Sequence, residues 1–77
     1  MARKGDYQIV NVGAPAEVNP DEKPFTVYRW DGNGWCYQHQ YDATSESEVQ
    51  EFVQAHGLVL VETGTLGMWP MRIYRVG

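Results

Sequence analysis

Cysteine is almost missing from this chain: Cys36 stands alone, which excludes an internal disulfide and suits a reducing compartment. Basic side chains are scarce as well. Six Lys and Arg face ten Asp and Glu, and the net charge of −4 argues against a protein whose affinity comes from neutralising many nucleic-acid phosphates. No apolar run approaches the roughly 18 residues of a membrane span, and Met1 to Asp6 lacks the apolar stretch of a secretion signal. These absences lead us to expect a soluble, cytoplasmic protein. A phosphate-binding loop is excluded too, because no glycine-rich segment opens a helix and Gly32 and Gly34 join two extended runs. The 77 residues make one domain, and a chain of that length buries only roughly 60% of its unfolded surface, so each large side chain counts.

Aromatic residues are concentrated. Phe25 to Tyr41 reads FTVYRWDGNGWCYQHQY and carries six of the ten aromatic side chains around Asp31-Gly32-Asn33-Gly34. Two extended runs around such a turn predict a β-hairpin. Closing it on Gly32-Asn33, or counting all of Asp31 to Gly34 as loop, sets Trp30 opposite Trp35, Tyr28 opposite Tyr37 and Thr26 opposite His39; closing it on Asn33-Gly34 sets Trp30 opposite Tyr37. Both registers give the same faces, because side chains alternate. One face carries Thr26, Tyr28, Trp30, Trp35, Tyr37, His39 and Tyr41; the other carries Phe25, Val27, Arg29, Cys36, Gln38 and Gln40.

The remaining elements follow from pattern and punctuation. Residues 1–6 are expected as a flexible tail, and residues 7–12 as a short or edge strand stopped by Gly13. Pro15, Pro20 and Pro24 make 13–24 an extended connection. Ser45 and Glu48 form a capping box and Gly57 a left-handed stop, so a helix is predicted over 46–56, with Val49, Phe52, Val53 and His56 as its buried stripe. Leu58 to Glu62 is apolar on both parities and is predicted as the central strand. Residues 63–70, with two glycines and a proline, are predicted as a loop before a last strand over 71–76. The fold class is α+β: a small antiparallel sheet of four or five strands in the order β-β-β-α-β-β, with one helix on a face.

No catalytic constellation emerges, and neither a cofactor nor a metal is expected. Cys36 and His39 lie three apart on a strand and point to opposite faces, which separates the pair as ligands. Ser45 and Ser47 serve the helix start, His56 belongs to the helix stripe, and Cys36 is read as a small buried or half-buried hydrophobe. The enzyme class is therefore set aside.

The aromatic face reads first as core, with Val49, Phe52 and Val53 of the helix lying on Tyr28, Trp30 and Tyr37. A short helix does not reach the hairpin tip, so Trp30 and Trp35 remain as candidate anchors for a partner. Trp69 and Met68 join them if the 63–70 segment is exposed, and Asp31, Glu48 and Glu51 supply an acidic rim for a protein partner with a basic surface. The function expected is protein binding, as inhibitor or modulator of a host or partner protein. One alternative is single-stranded nucleic-acid binding by stacking on Tyr28, Trp30, Trp35 and Tyr37; another is an accessory subunit of a larger enzyme. An open edge at the first or last strand would support a homodimer. In size, acidity, aromatic content and lack of catalytic groups the chain is similar in type to small phage-encoded inhibitors of host machinery, anti-CRISPR proteins among them. That likeness rests on no motif, and it implies a viral inhibitor.

Overall fold

The computed structural model describes residues 2–13 and 23–77. The connection expected over 13–24 lies almost wholly outside them. Five strands, β1 (Tyr7–Asn11), β2 (Phe25–Trp30), β3 (Trp35–Tyr37), β4 (Leu58–Leu66) and β5 (Trp69–Val76), form one antiparallel sheet in the order β3-β2-β1-β5-β4. One helix, α1 (Glu46–Ala55), lies on one face. This is the expected small α+β fold.

The strand order corrects two expectations. β1 is short but central, flanked by β2 and β5, and Tyr7, Gln8, Ile9 and Val10 are all buried. β4, expected in the centre, is an edge strand exposed from Val59 to Leu66. A tight turn ties β4 to β5, so when β1 takes the other flank of β5 by long-range pairing, β4 is left outside. Apolar content on both parities did not report burial here.

The 63–70 segment is not a loop either. β4 continues through Thr63, Gly64 and Thr65 to Leu66, and the turn is Gly67-Met68, with Gly67 at φ 64°. Gly64 keeps room for its partner: a methyl placed there would meet Met71 Cε at 3.4 Å. Pro70 stands opposite Thr65, beyond the end of the β1 pairing at Met71, so its missing N–H interrupts no ladder with β1.

The helix begins as its sequence dictates. Ser45 Oγ accepts the Glu48 N–H at 3.2 Å, while the Glu48 carboxylate reaches back one residue further than a capping box requires, to the Thr44 N–H at 3.0 Å and the Thr44 hydroxyl at 2.7 Å. His56 is the C-cap and Gly57, at φ 63°, turns the chain into β4. Val49 and Val53 are buried, with Phe52 and His56 partly so. They pack on Tyr7, Ile9, Phe25, Val27, Leu58 and Tyr74.

That core reverses the expected sides of the hairpin. The helix covers the Phe25 and Val27 face, and Tyr28, Trp30 and Tyr37 lie on the face away from it. The reason is long-range register: β1 sets Tyr7 and Ile9 on the same side as Phe25 and Val27 of β2 and Tyr74 of β5, and this set closes under Val49, Phe52 and Val53. Tyr41 also changes sides. β3 stops at Tyr37, and a 3-10 turn over His39–Tyr41 carries Tyr41 under the helix, with its ring centroid 4.9 Å from Phe52 and 6.3 Å from Tyr7. The expected pairing of Thr26 with His39 is lost at the same point.

The segment Arg3 to Asp6 meets the hairpin end of the sheet. The Gly5 N–H donates to Trp30 O at 2.9 Å, the Trp30 N–H donates to Asp6 O at 2.8 Å, and Asp6 is buried.

Candidate functional site

Alternation places a row of aromatic side chains on the sheet face opposite α1. Trp30 faces Trp35 across the hairpin, with ring centroids 5.2 Å apart and planes at 65°, and Tyr28 faces Tyr37 at 5.3 Å. Of the two expected registers, the one that sets Trp30 opposite Trp35 is observed. The Tyr37–Tyr28 row continues across the sheet through Gln8 and Ile73 to Glu62, and the Trp35–Trp30 row runs beside the chain at Asp6. Tyr28, Trp30 and Trp35 are half-buried and Tyr37 is 50% exposed. None of the four belongs to the core under the helix.

The turn between the tryptophans is built by Asp31. Its Oδ1 accepts the N–H of Asn33 at 2.7 Å and of Gly34 at 2.9 Å, and its Oδ2 accepts the Cys36 thiol at 3.3 Å. The two backbone donors, then the thiol, hold the Asp31 carboxyl below its usual range. The carboxylate therefore stays charged beside the tryptophans while it fixes the turn. Cys36 is exposed, not buried as expected, and its hydrogen bond to Asp31 pushes the thiol pKa up.

Trp69 and Met68 share this face or its rim but stand at the other end of the sheet. Trp30 is level with Asp6, whereas Trp69 lies two residues beyond the Met71–Val10 pair. The separation is roughly 20 Å along the strands, at about 3.3 Å per residue, and roughly 10 Å across two strand spacings. Met68 is 84% exposed and Trp69 43%.

Glu48 and Glu51 are not part of this face. Both sit on α1, on the far side of the sheet, where they border a shallow cleft of about 370 Å³ with Tyr41 and Phe52. The carboxyl of Glu48 is held low by its two bonds to Thr44. The acidic rim expected around the tryptophans thus reduces to Asp31.

Sequence reasoning missed the charges that do stand at that end. Arg3 and Lys4 precede Gly5, whose N–H donates to Trp30 O, and both are exposed. Arg29 is exposed at the same end, on the helix side of the sheet. Arg75 shares the aromatic face but grips the buried Asp6 carboxylate. The register of β1 on β2 and β5 was the signal needed, and it is not local.

Among the described residues no three His, Cys, Asp or Glu side chains converge as metal ligands, and no helix is long and apolar enough to cross a membrane. Comparison with known protein families, with curated proteins and with solved structures returns no match for this chain.

Proposed function

We propose that the chain is a non-catalytic binding module that docks a protein partner on the sheet face away from α1, with Trp30 and Trp35 as central anchors and Tyr28 and Tyr37 around them. One observation carries the reading: the helix closes on the Phe25 and Val27 face, leaving the Trp30–Trp35 and Tyr28–Tyr37 pairs on the opposite one. Trp and Tyr most often dominate protein interfaces, and rings already held against each other lose little freedom on binding. Full burial of a large side chain is worth about 1.5–3 kcal/mol, and a partner that completes the burial of one already half-buried gains about half of that.

Trp69 and Met68 form a separate outer contact, because Gln8, Val10, Thr26 and Ile73, which lie between them and the tryptophan pair on that face, are buried. Asp31 is the carboxylate beside the tryptophans, suited to a Lys or Arg of the partner; Glu48 and Glu51 lie on the helix side of the sheet. Occupancy of the partner's surface gives stoichiometric inhibition or modulation as the mode of action.

The test is affinity capture on the immobilised protein from cells of its source, followed by calorimetric titration of the purified partner. Trp35→Ala is expected to weaken binding at least ten-fold with a thermal melt within a few degrees of wild type. If Trp35→Ala unfolds the domain, or binds as wild type, the tryptophan pair is not the anchor.

A second reading has one observation in its favour. Arg3, Lys4 and Arg29 stand at the tryptophan end of the sheet, and a stacking platform for single-stranded nucleic acid needs cations near its rings. Quenching of tryptophan fluorescence by a short oligonucleotide at low salt, lost as salt rises, would favour it over the protein partner. Absence of quenching at low salt removes it.

A further inference from the structure

We infer that the docking face takes a protein partner whose surface is acidic: carboxylates that meet Arg3, Lys4 and Arg29 around an apolar contact seated on Trp30 and Trp35. The inference rests on the protein-docking reading above and names the chemistry of its partner. Of the six Lys and Arg side chains, three are engaged within the fold: Arg72 pairs with Glu46, Arg75 pairs with Asp6, and Lys23 donates to the Asp42 carbonyl. The side chains of Arg3, Lys4 and Arg29 are exposed and make no hydrogen bond or ion pair among the described residues.

These three cations gather at the tryptophan pair. The bond from the Gly5 N–H to Trp30 O, at 2.9 Å, lays Arg3 and Lys4 beside the end of β2. Arg3 lines a cavity of about 390 Å³ with Ile73 and Arg75, which belong to the aromatic side of the sheet. Arg29 precedes Trp30 and stands opposite Cys36 across the hairpin. Although Arg29 leaves from the helix side, its guanidinium reaches the same N-terminal segment: a methyl placed at Gly5 would stand 3.8 Å from its Nη2. The rings are thus bordered by cations from both sides of the sheet.

Local charge decides what such a rim attracts. With Arg75, Asp6, Asp31 and Glu62 counted in, cations outnumber carboxylates four to three at this end, whereas among the other described residues Lys23 and Arg72 stand against Asp42, Glu46, Glu48 and Glu51. Asp6 is buried under Arg75, and Asp31 is taken up by two turn N–H groups and the Cys36 thiol, so neither presents much charge to a partner. At physiological salt, charges separated by more than about 8 Å are largely screened, so the carboxylates of the helix side contribute little here. A chain of net charge −4 therefore attracts a carboxylate-bearing surface chiefly at the tryptophan end, which also orients the encounter. Nucleic acid fits this rim less well. The Trp30–Trp35 planes meet at 65° and the Tyr28–Tyr37 planes at 37°, so neither pair offers a flat platform for successive bases.

Two end-capped peptides, Glu-Glu-Leu-Glu-Glu and its lysine counterpart, test the sign of the rim. Each is titrated into the full chain at low salt while the indole N–H signals of Trp30 and Trp35 are followed by NMR. The acidic peptide is expected to bind several-fold more tightly at these signals, and the preference to fade as salt rises. The double variant Arg3→Gln with Lys4→Gln, and separately Arg29→Gln, each checked for wild-type circular dichroism, are expected to lose most of that preference. Equal binding of the two peptides, or a preference unchanged in these variants, overturns the inference. So does tighter binding of a single-stranded oligonucleotide matched in charge to the acidic peptide, which would assign the rim to phosphates. On the captured partner the two readings separate. Wild-type binding by Trp35→Ala sinks the docking face itself, whereas weakened binding by Trp35→Ala alongside unchanged, salt-independent binding by the neutralised variants overturns the acidic partner alone.

Discussion

Arg75 grips the buried carboxylate of Asp6 from the far end of the chain, with Nε to Oδ1 and Nη2 to Oδ2 both at 2.9 Å. The same carboxylate accepts the Arg3 N–H at 2.9 Å, and the Asp6 carbonyl accepts the Trp30 N–H at 2.8 Å. One residue therefore joins the N-terminal segment, β2 and β5, and sets the level of Trp30 on the sheet. A connection of this kind links packing to the proposed docking face without touching a partner.

Asp6→Ala is expected to cost about 3 kcal/mol, the low end for breaking a buried pair, because Arg75 retains 30% side-chain exposure while Asp6 has 1%. The Arg75 hydrogen bond holds the Asp6 carboxyl below its usual range, and Arg72 does the same for Glu46. Both folded-state values are depressed, so their stabilisation is present above the unfolded values near 4 and is lost as pH falls through the folded ones. Urea denaturation from pH 6 down to pH 2 is expected to show stability falling below about pH 4, with a shallower fall in Asp6→Asn. An unchanged pH slope in that variant would sink the assignment.

Features that depend on neighbours in sequence were legible in it: the caps of α1, the Val49, Phe52, Val53 stripe, and the pairing of Trp30 with Trp35. Features that depend on distant pairing were not. Parity sorted the hairpin into two sets correctly from Phe25 to Tyr37, yet it carries no information on which set the helix covers, and ring size favoured the wrong one. Gln8 disguised β1 as an edge, because a buried amide looks polar until its neighbour is known; its Nε2 lies 3.9 Å from Met71 Sδ across the β1–β5 pair. The run Leu58 to Val61 looked central because exposure at an edge and burial in a sheet use the same apolar residues.

Stability and binding are expected to separate along the two faces of the sheet. Ile9 is 1% exposed in the core, and Ile9→Ala is expected to cost about 3–4 kcal/mol through lost burial and the cavity left behind. Trp35 is half-buried and rests on Trp30, so Trp35→Ala removes an aromatic contact worth about 1 kcal/mol. Paired thermal melts of the two variants check this directly. A larger loss in Trp35→Ala than in Ile9→Ala would place the core on the aromatic face.

The start of α1 offers a local test. Ser45→Ala removes the acceptor for the Glu48 N–H and is expected to cost about 1 kcal/mol. Glu48→Gln keeps an acceptor for the Thr44 groups but removes the charge that those bonds and the helix dipole favour. Its effect is expected to vanish at high salt, whereas that of Ser45→Ala is expected to persist. Chemical denaturation of both variants at two ionic strengths distinguishes a neutral cap from a charged one.

The thiol of Cys36 reports on the turn between the anchors. It is exposed, yet its hydrogen bond to Asp31 Oδ2 raises its pKa, an effect reinforced by desolvation and by the charge of Asp31 and opposed by that of Arg29. A thiol held protonated supplies less thiolate for exchange. Its reaction with an aromatic disulfide at pH 8 is expected to be several-fold slower than that of an unstructured cysteine peptide. Asp31→Asn retains an Oδ1 acceptor for the Asn33 and Gly34 N–H groups and removes the charge, so the rate is expected to rise toward that of the peptide while the fold is kept. Equal rates in wild type and Asp31→Asn would mean that Asp31 does not engage the thiol in solution, and that the turn holding Trp30 against Trp35 is looser than its hydrogen bonds indicate.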